Sequence, residues 1–207
     1  MLTPEQLLAF LAAALLITAS PGPDNLMVLG VGMSQGRRHG MAFGLGCALG
    51  CLSHTLLAAI VVSALIAASP LAFTALRVAG GLYLVLLGVN ALRSRGGGQA
   101  QGAADRPAPA RLFWRGVMAN AINPKVVLFF LSFLPQFVVP AQGEVALQTA
   151  VLGVVFTAQA ALLFGTLGFF AGGIGQWLQR RPRAGLWLDR VAGAVFVGLG
   201  LRLIVAK

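Results

Sequence analysis

The sequence predicts an all-α membrane protein: six transmembrane helices in two three-helix repeats of inverted topology, with helices 1 and 4 broken. Three observations predict it. Of the 207 residues, 58% are hydrophobic and only 10% charged, whereas a soluble domain carries about a quarter charged residues. The apolar residues gather into six stretches, each reaching the roughly twenty residues that a bilayer core asks of a helix. Two stretches, the first and the fourth, are interrupted at corresponding places by polar, proline-containing motifs, Ser20-Pro21-Gly22-Pro23-Asp24-Asn25 and Asn120-Ala121-Ile122-Asn123-Pro124-Lys125.

Span 1 covers residues 7–35 and follows Met1-Leu2-Thr3-Pro4-Glu5, which lacks the basic start of a removable signal, so the span is expected to stay in place. Pro21 and Pro23 each remove a backbone donor and crowd the preceding turn, and Gly22 lets the chain turn, so the helix breaks inside the bilayer. Asp24 and Asn25 then open a second helical stretch, whose N-terminal amides favour an anion. Span 2, residues 40–68, follows Gly36 and carries Gly40, Gly44, Gly46 and Gly50, small residues that admit close helix contact and would suit a homodimer. Cys47 and Cys51 lie four apart on one helix face, a spacing for packing rather than for a mutual disulfide. His54, alone in this span, reads as a hydrogen-bonded core residue more readily than as a proton relay.

Span 3, residues 71–92, contains Arg77, expected to snorkel to the interface. Residues 94–111, rich in Gly, Ala and Pro, read as a solvated cytoplasmic linker between an N-terminal repeat, 1–93, and a C-terminal repeat, 112–207. In span 4, residues 112–139, Asn123 is an N-cap, Pro124 takes the first helical position and Lys125 adds a cation directly after the break. Gln136, after Pro135 at the far end of this span, is a candidate gate residue. Spans 5 and 6 are expected at 145–175, with Gly168 and Gly172 as packing residues, and at 186–205.

The formal charge of +10 is a statement about topology rather than about nucleic acid. Arg37, Arg38, Arg93, Arg95, Arg106, Arg111, Arg115, Arg180, Arg181, Arg183 and Arg190 all fall on one side of the six spans. The turns at 68–70 and 140–144 on the other side carry no basic residue, and Arg202 and Lys207 lie near the C-terminus. The positive-inside rule makes the first side cytoplasmic and places both termini in the periplasm of a bacterial inner membrane. Three spans per half is an odd number, so related halves would insert with opposite orientations.

Asp24 and Lys125 are the charges set deepest in apolar sequence. An ionisable residue there costs about 2.5–3.5 kcal/mol on insertion scales, so it marks a candidate site. In one reading the two charges cap the broken helices and pair with each other, fixing the halves together. In the other a zwitterionic solute competes for them, its ammonium at Asp24 and its carboxylate at Lys125, with Asp24 also the candidate carrier of a coupled proton. Asn25, Asn120 and Asn123 would orient the solute and satisfy helix ends, while Pro21, Gly22, Pro23 and Pro124 shape the breaks. No metal-ligand spacing, nucleophile elbow or phosphate loop is present, so no metal, cofactor or enzymatic chemistry is expected. The competing class is a passive channel or structural membrane subunit built from the same broken helices.

Ser20-Pro21-Gly22-Pro23-Asp24-Asn25, the Gly36-Arg37-Arg38-His39-Gly40 turn leading to Gly44 and Gly46, and the run from Arg77 through Gly80, Gly81 and Tyr83 to Gly88 together resemble the LysE/RhtB family. Phe113 to Lys125, followed by Phe129-Phe130-Leu131-Ser132-Phe133-Leu134-Pro135-Gln136-Phe137, resembles that family's other signature, so the likeness covers nearly the whole chain. It implies export of amino acids or close derivatives from the bacterial cytoplasm, driven by protons. Neutral, threonine- or homoserine-like solutes are preferred slightly over basic ones.

Overall fold

The computed structural model describes the backbone of residues 2–93 and 107–205, with every side chain there except those at 62, 63, 65–68, 70, 179 and 182. Those residues are helical or lie in short turns, with no strand among them. Eight α-helices follow in order: α1 Pro4–Ala19, α2 Pro23–Gln35, α3 Arg37–Ala68, α4 Pro70–Arg93, α5 Pro109–Ala121, α6 Pro124–Leu128, α7 Val145–Arg180 and α8 Pro182–Val205. Most of the linker segment, 94–106, lies outside the described residues. Its last residues do not stay extended, because α5 starts at Pro109.

Both expected breaks are present. The axis bends by 56° between α1 and α2, and by 50° between α5 and the stretch from Pro124 to Phe137. Their local causes are legible in the chain. Thr3 caps α1 in a reciprocal box with Gln6, and the helix stops at Ser20, whose successor Pro21 disfavours helical geometry before it. Gly22 and Asn123 are the N-caps of the outgoing helices, each followed by proline at the first helical position. After α6 the chain runs through a π-helical turn, Phe129–Phe133, and a 3₁₀ turn, Leu134–Phe137, so span 4 is less regular than span 1. Gly36, at φ +94°, occupies the left-handed region and lets α3 begin directly after α2.

By length and composition, parts of α3, α4 and α7 can each cross a membrane, and each bent pair can add one span, giving three to five candidates. The expected sixth span, α8, is not among them. Asp189 and Arg190 near one end and Arg202 near the other shorten its uncharged stretch to Val191–Leu201.

Close glycine contacts set the helix directions. Gly40 lies against Gly168 and Gly44 against Phe164, so α3 and α7 run antiparallel; Gly81 lies against Gly200 and Gly88 against Gly193, so α4 and α8 do too. Gly46 meets Phe113 and Gly50 meets Val117, which makes α3 and α5 parallel. Gly172, expected to pack, has no neighbour within 4 Å of where a Cβ would stand. Large side chains such as Leu8, Leu56, Leu71 and Leu162 point outward, as helices in an apolar solvent permit. The interior holds an aromatic cluster in which Phe129 touches Phe10, Phe130, Phe133 and Phe156. It fills the space beside the irregular part of span 4.

Candidate functional site

The two breaks meet. A small cavity is lined by Ile17, Thr18, Gly22, Asp24 and Asn25 from span 1, by Asn120, Asn123, Lys125 and Val126 from span 4, and by Cys51, Phe156 and Phe164. Its free space is about 20 Å³, room for about one water molecule and too little for an amino acid. Asp24 and Lys125 are only 4% and 7% exposed, so both charges sit in a contracted, nearly solvent-free place.

They form no ion pair with each other among the described residues. The Asn120 side-chain amide donates to Asp24 Oδ2 at 2.7 Å, and the Lys125 ammonium donates to the Ser20 carbonyl at 3.0 Å and rests 4.9 Å over the Phe196 ring. Each has its own polar partner on the opposite half. Asp24 stands in the first turn of α2, where the helix dipole favours its carboxylate. Phe196 brings α8 against the ammonium face by a cation–π contact.

The remaining amides close off the broken ends. Asn25 donates to the Thr18 carbonyl at 2.9 Å, satisfying a group that the end of α1 leaves open. Asn123 Oδ1 accepts from the Lys125 backbone amide at 3.1 Å as the α6 cap. Asn120, wholly buried, receives three contacts: its carbonyl accepts from His54 Nε2 at 3.0 Å, its side-chain oxygen from the Cys51 thiol at 3.5 Å, and its amide reaches Asp24. His54 is therefore the hydrogen-bonded residue that the sequence suggested. Cys51, expected only to pack, also steadies Asn120, and both cysteines are free. Gln136 lies away from the cavity, its amide turned back to the Ser132 carbonyl at 3.4 Å.

Some participants escape sequence reasoning. Ser20 acts through its carbonyl, which no side-chain pattern reveals, and Phe196 is one of 13 phenylalanines. Gln159 did carry a signal, an amide midway along a long apolar stretch, and its Nε2 reaches Thr18 Oγ1 at 2.8 Å.

Gly22 gives a direct check. Its backbone is extended, so any residue can adopt it, but a Cβ there would sit 3.0 Å from Lys125 Nζ. Gly22→Val is expected to displace the ammonium while leaving the fold intact, which an unchanged melting temperature of the purified protein checks.

The sequence matches the family model described as LysE type translocator over residues 15–207. It is 32% identical to an uncharacterized membrane protein of Vibrio cholerae, over 97% of either chain. It is 29% identical to the homoserine/homoserine lactone efflux protein of Salmonella typhimurium, over 100% of this chain and 99% of that one. It is also 30% identical to the threonine efflux protein of Escherichia coli, over 91% and 92%. No solved structure matches.

Proposed function

The chain belongs to the LysE type translocator family, and on that premise we propose that it exports neutral amino acids or close derivatives from the cytoplasm by proton-coupled alternating access. Its apolar helices and relatives make it a multi-pass membrane transport protein. The finer reading rests above all on one observation: a buried carboxylate and a buried ammonium line one cavity and are held on separate partners rather than on each other.

That arrangement suits a zwitterion. Among the described residues one hydrogen bond occupies the Asp24 carboxylate and one the Lys125 ammonium, while a carboxylate can accept several and an ammonium can donate three. A solute ammonium placed at Asp24 and its carboxylate at Lys125 would complete both, with Asn25, Asn120 and Asn123 holding the walls. Relatives named for homoserine and threonine efflux favour a hydroxylated neutral solute.

The packing is compatible with such a transport cycle. The antiparallel pairs α3 with α7 and α4 with α8 support a six-span, inverted-repeat arrangement in which α8 crosses as the sixth span despite its terminal charges. The arginine distribution supports a cytoplasmic linker and periplasmic termini in an inner membrane. The contracted cavity is an occluded stage, and rocking one half against the other opens it to either side, with Asp24 as the group that binds the ammonium or exchanges the coupled proton.

Cells expressing the protein and preloaded with a panel of amino acids test this. Export of a neutral amino acid against its gradient, abolished by a protonophore, is the expected result. Downhill movement unaffected by the protonophore would replace the exporter with a passive channel.

A further inference from the structure

Thr18 and Gln159 form a polar pair whose hydrogen-bonding capacity the protein leaves half used. Thr18 lines the cavity, and its hydroxyl oxygen accepts from Gln159 Nε2. Both side chains are more than nine-tenths buried, with exposures of 4% and 6%. Thr55, Thr149 and Thr157 each return their hydroxyl proton to the carbonyl four residues back, at 2.8–3.0 Å. No such bond to the carbonyl four residues back is present for Thr18, whose hydroxyl engages only Gln159 among the described contacts. Gln159 Oε1 is buried without a partner. Turning the amide over exchanges the roles of its two ends and still leaves one end unsatisfied.

In either orientation of the amide the pair keeps one donor and one acceptor, the Thr18 hydroxyl proton with the Gln159 carbonyl or the Gln159 amide with the Thr18 oxygen; Thr18 lines the cavity, whose wall also includes the apolar Ile17, Val126, Phe156 and Phe164, and Gln159 stands directly behind it. Buried polar groups without partners are costly, so they select for whatever completes them. An aliphatic side chain completes neither, an ammonium supplies only donors and a carboxylate only acceptors. A hydroxyl supplies one of each.

We propose that Thr18 and Gln159 are the specificity subsite that reads a hydroxyl on the solute's side chain, so the protein's solutes are hydroxylated neutral amino acids. This rests on the reading of Asp24 and Lys125 as the seat of the zwitterion, which fixes the main chain while the pair inspects the side chain. Thr18 comes from the first half and Gln159 from the second, so the pair is complete only when the halves are closed around the cavity.

The test uses full-length protein in proteoliposomes with an imposed proton gradient and compares homoserine with norvaline, the analogue that has a methyl group in place of the hydroxyl. The readout is the ratio of their transport rates. Wild type is expected to favour homoserine by about tenfold or more, as a site built around a hydroxyl rejects the analogue lacking it. Thr18→Val and Gln159→Leu should each bring the ratio close to one, and Thr18→Ser should keep it. Where a variant moves solute too slowly, the ratio of half-saturating concentrations for the solute-induced rise in melting temperature serves as the same readout. A wild type without preference, or variants whose ratio is unchanged, overturns the subsite while leaving the exporter standing. A wild type that neither moves nor is stabilised by either solute overturns the exporter reading and the subsite with it.

Discussion

Asp24→Asn and Lys125→Met are each expected to reduce the proposed export at least about hundredfold, a rise of about 2.8 kcal/mol in the transport barrier at 1.4 kcal/mol per decade. Asparagine keeps an oxygen that can accept from Asn120, so the contact across the halves survives while the charge is lost. Methionine keeps the reach of lysine and its apolar stem, but leaves the Ser20 carbonyl without its donor and Asp24 without a nearby cation. The double variant is the decisive one. If the charges served only to hold the halves together, removing both would cost little, because an intact apolar replacement of a buried pair is often neutral. If they hold a zwitterion, the double variant transports no better than either single one. Rates for the four proteins, with melting temperatures as the control for folding, complete the cycle. A double variant that regains near wild-type export would return Asp24 and Lys125 to a structural role.

Asp24→Asn also separates two tasks within the site. If Asp24 carries the coupled proton, the variant still exchanges labelled for unlabelled solute across the membrane but no longer concentrates it. If Asp24 binds the ammonium, exchange and concentration fail together. The two assays on one preparation decide between them.

The breaks were readable because each violates the surrounding pattern: two prolines flanking a glycine in span 1, and Asn123-Pro124-Lys125 in span 4, stand in apolar sequence where nothing else explains them. Asp24 and Lys125 were readable for the same reason. Their partners were not. Asn120 lies 96 residues from Asp24, and its role depends on how α5 ends rather than on what it is. The Ser20 carbonyl belongs to the backbone, and Phe196 resembles every other phenylalanine until α8 is folded against the ammonium. Hydropathy also gave α8 the same standing as the other spans, although among the described residues only α3, α4 and α7 are single helices long and apolar enough to cross a membrane. The π-helical turn after α6 has no counterpart in a simple helical period.

Gly46→Val and Gly116→Val abolish the folded protein, whereas Gly172→Val and Gly198→Val preserve it. All four positions are helical glycines in apolar sequence, so composition and propensity treat them alike. Their surroundings differ. A Cβ at Gly46 would overlap the Phe113 carbonyl, and one at Gly116 would overlap the Phe43 carbonyl, so each helix needs the other's glycine in order to approach. The obstruction is backbone, which has no rotamer to escape into, and relief requires α3 and α5 to separate. Overpacking of a core costs about 1–3 kcal/mol where side chains can yield, and more is expected here because they cannot. Separation would also carry Asn120 away from Cys51 and His54, undoing the support of Asp24, so any residual protein should lack transport. Gly172 and Gly198 have no neighbour within 4 Å of the added atom, and a valine there meets only what surrounds the monomer. Recovery of monodisperse protein after detergent extraction, followed by melting temperature, measures the contrast. Equal tolerance at all four positions would mean that α3 and α5 do not pack at this distance. Loss confined to Gly172→Val or Gly198→Val would place a second copy of the chain against that face.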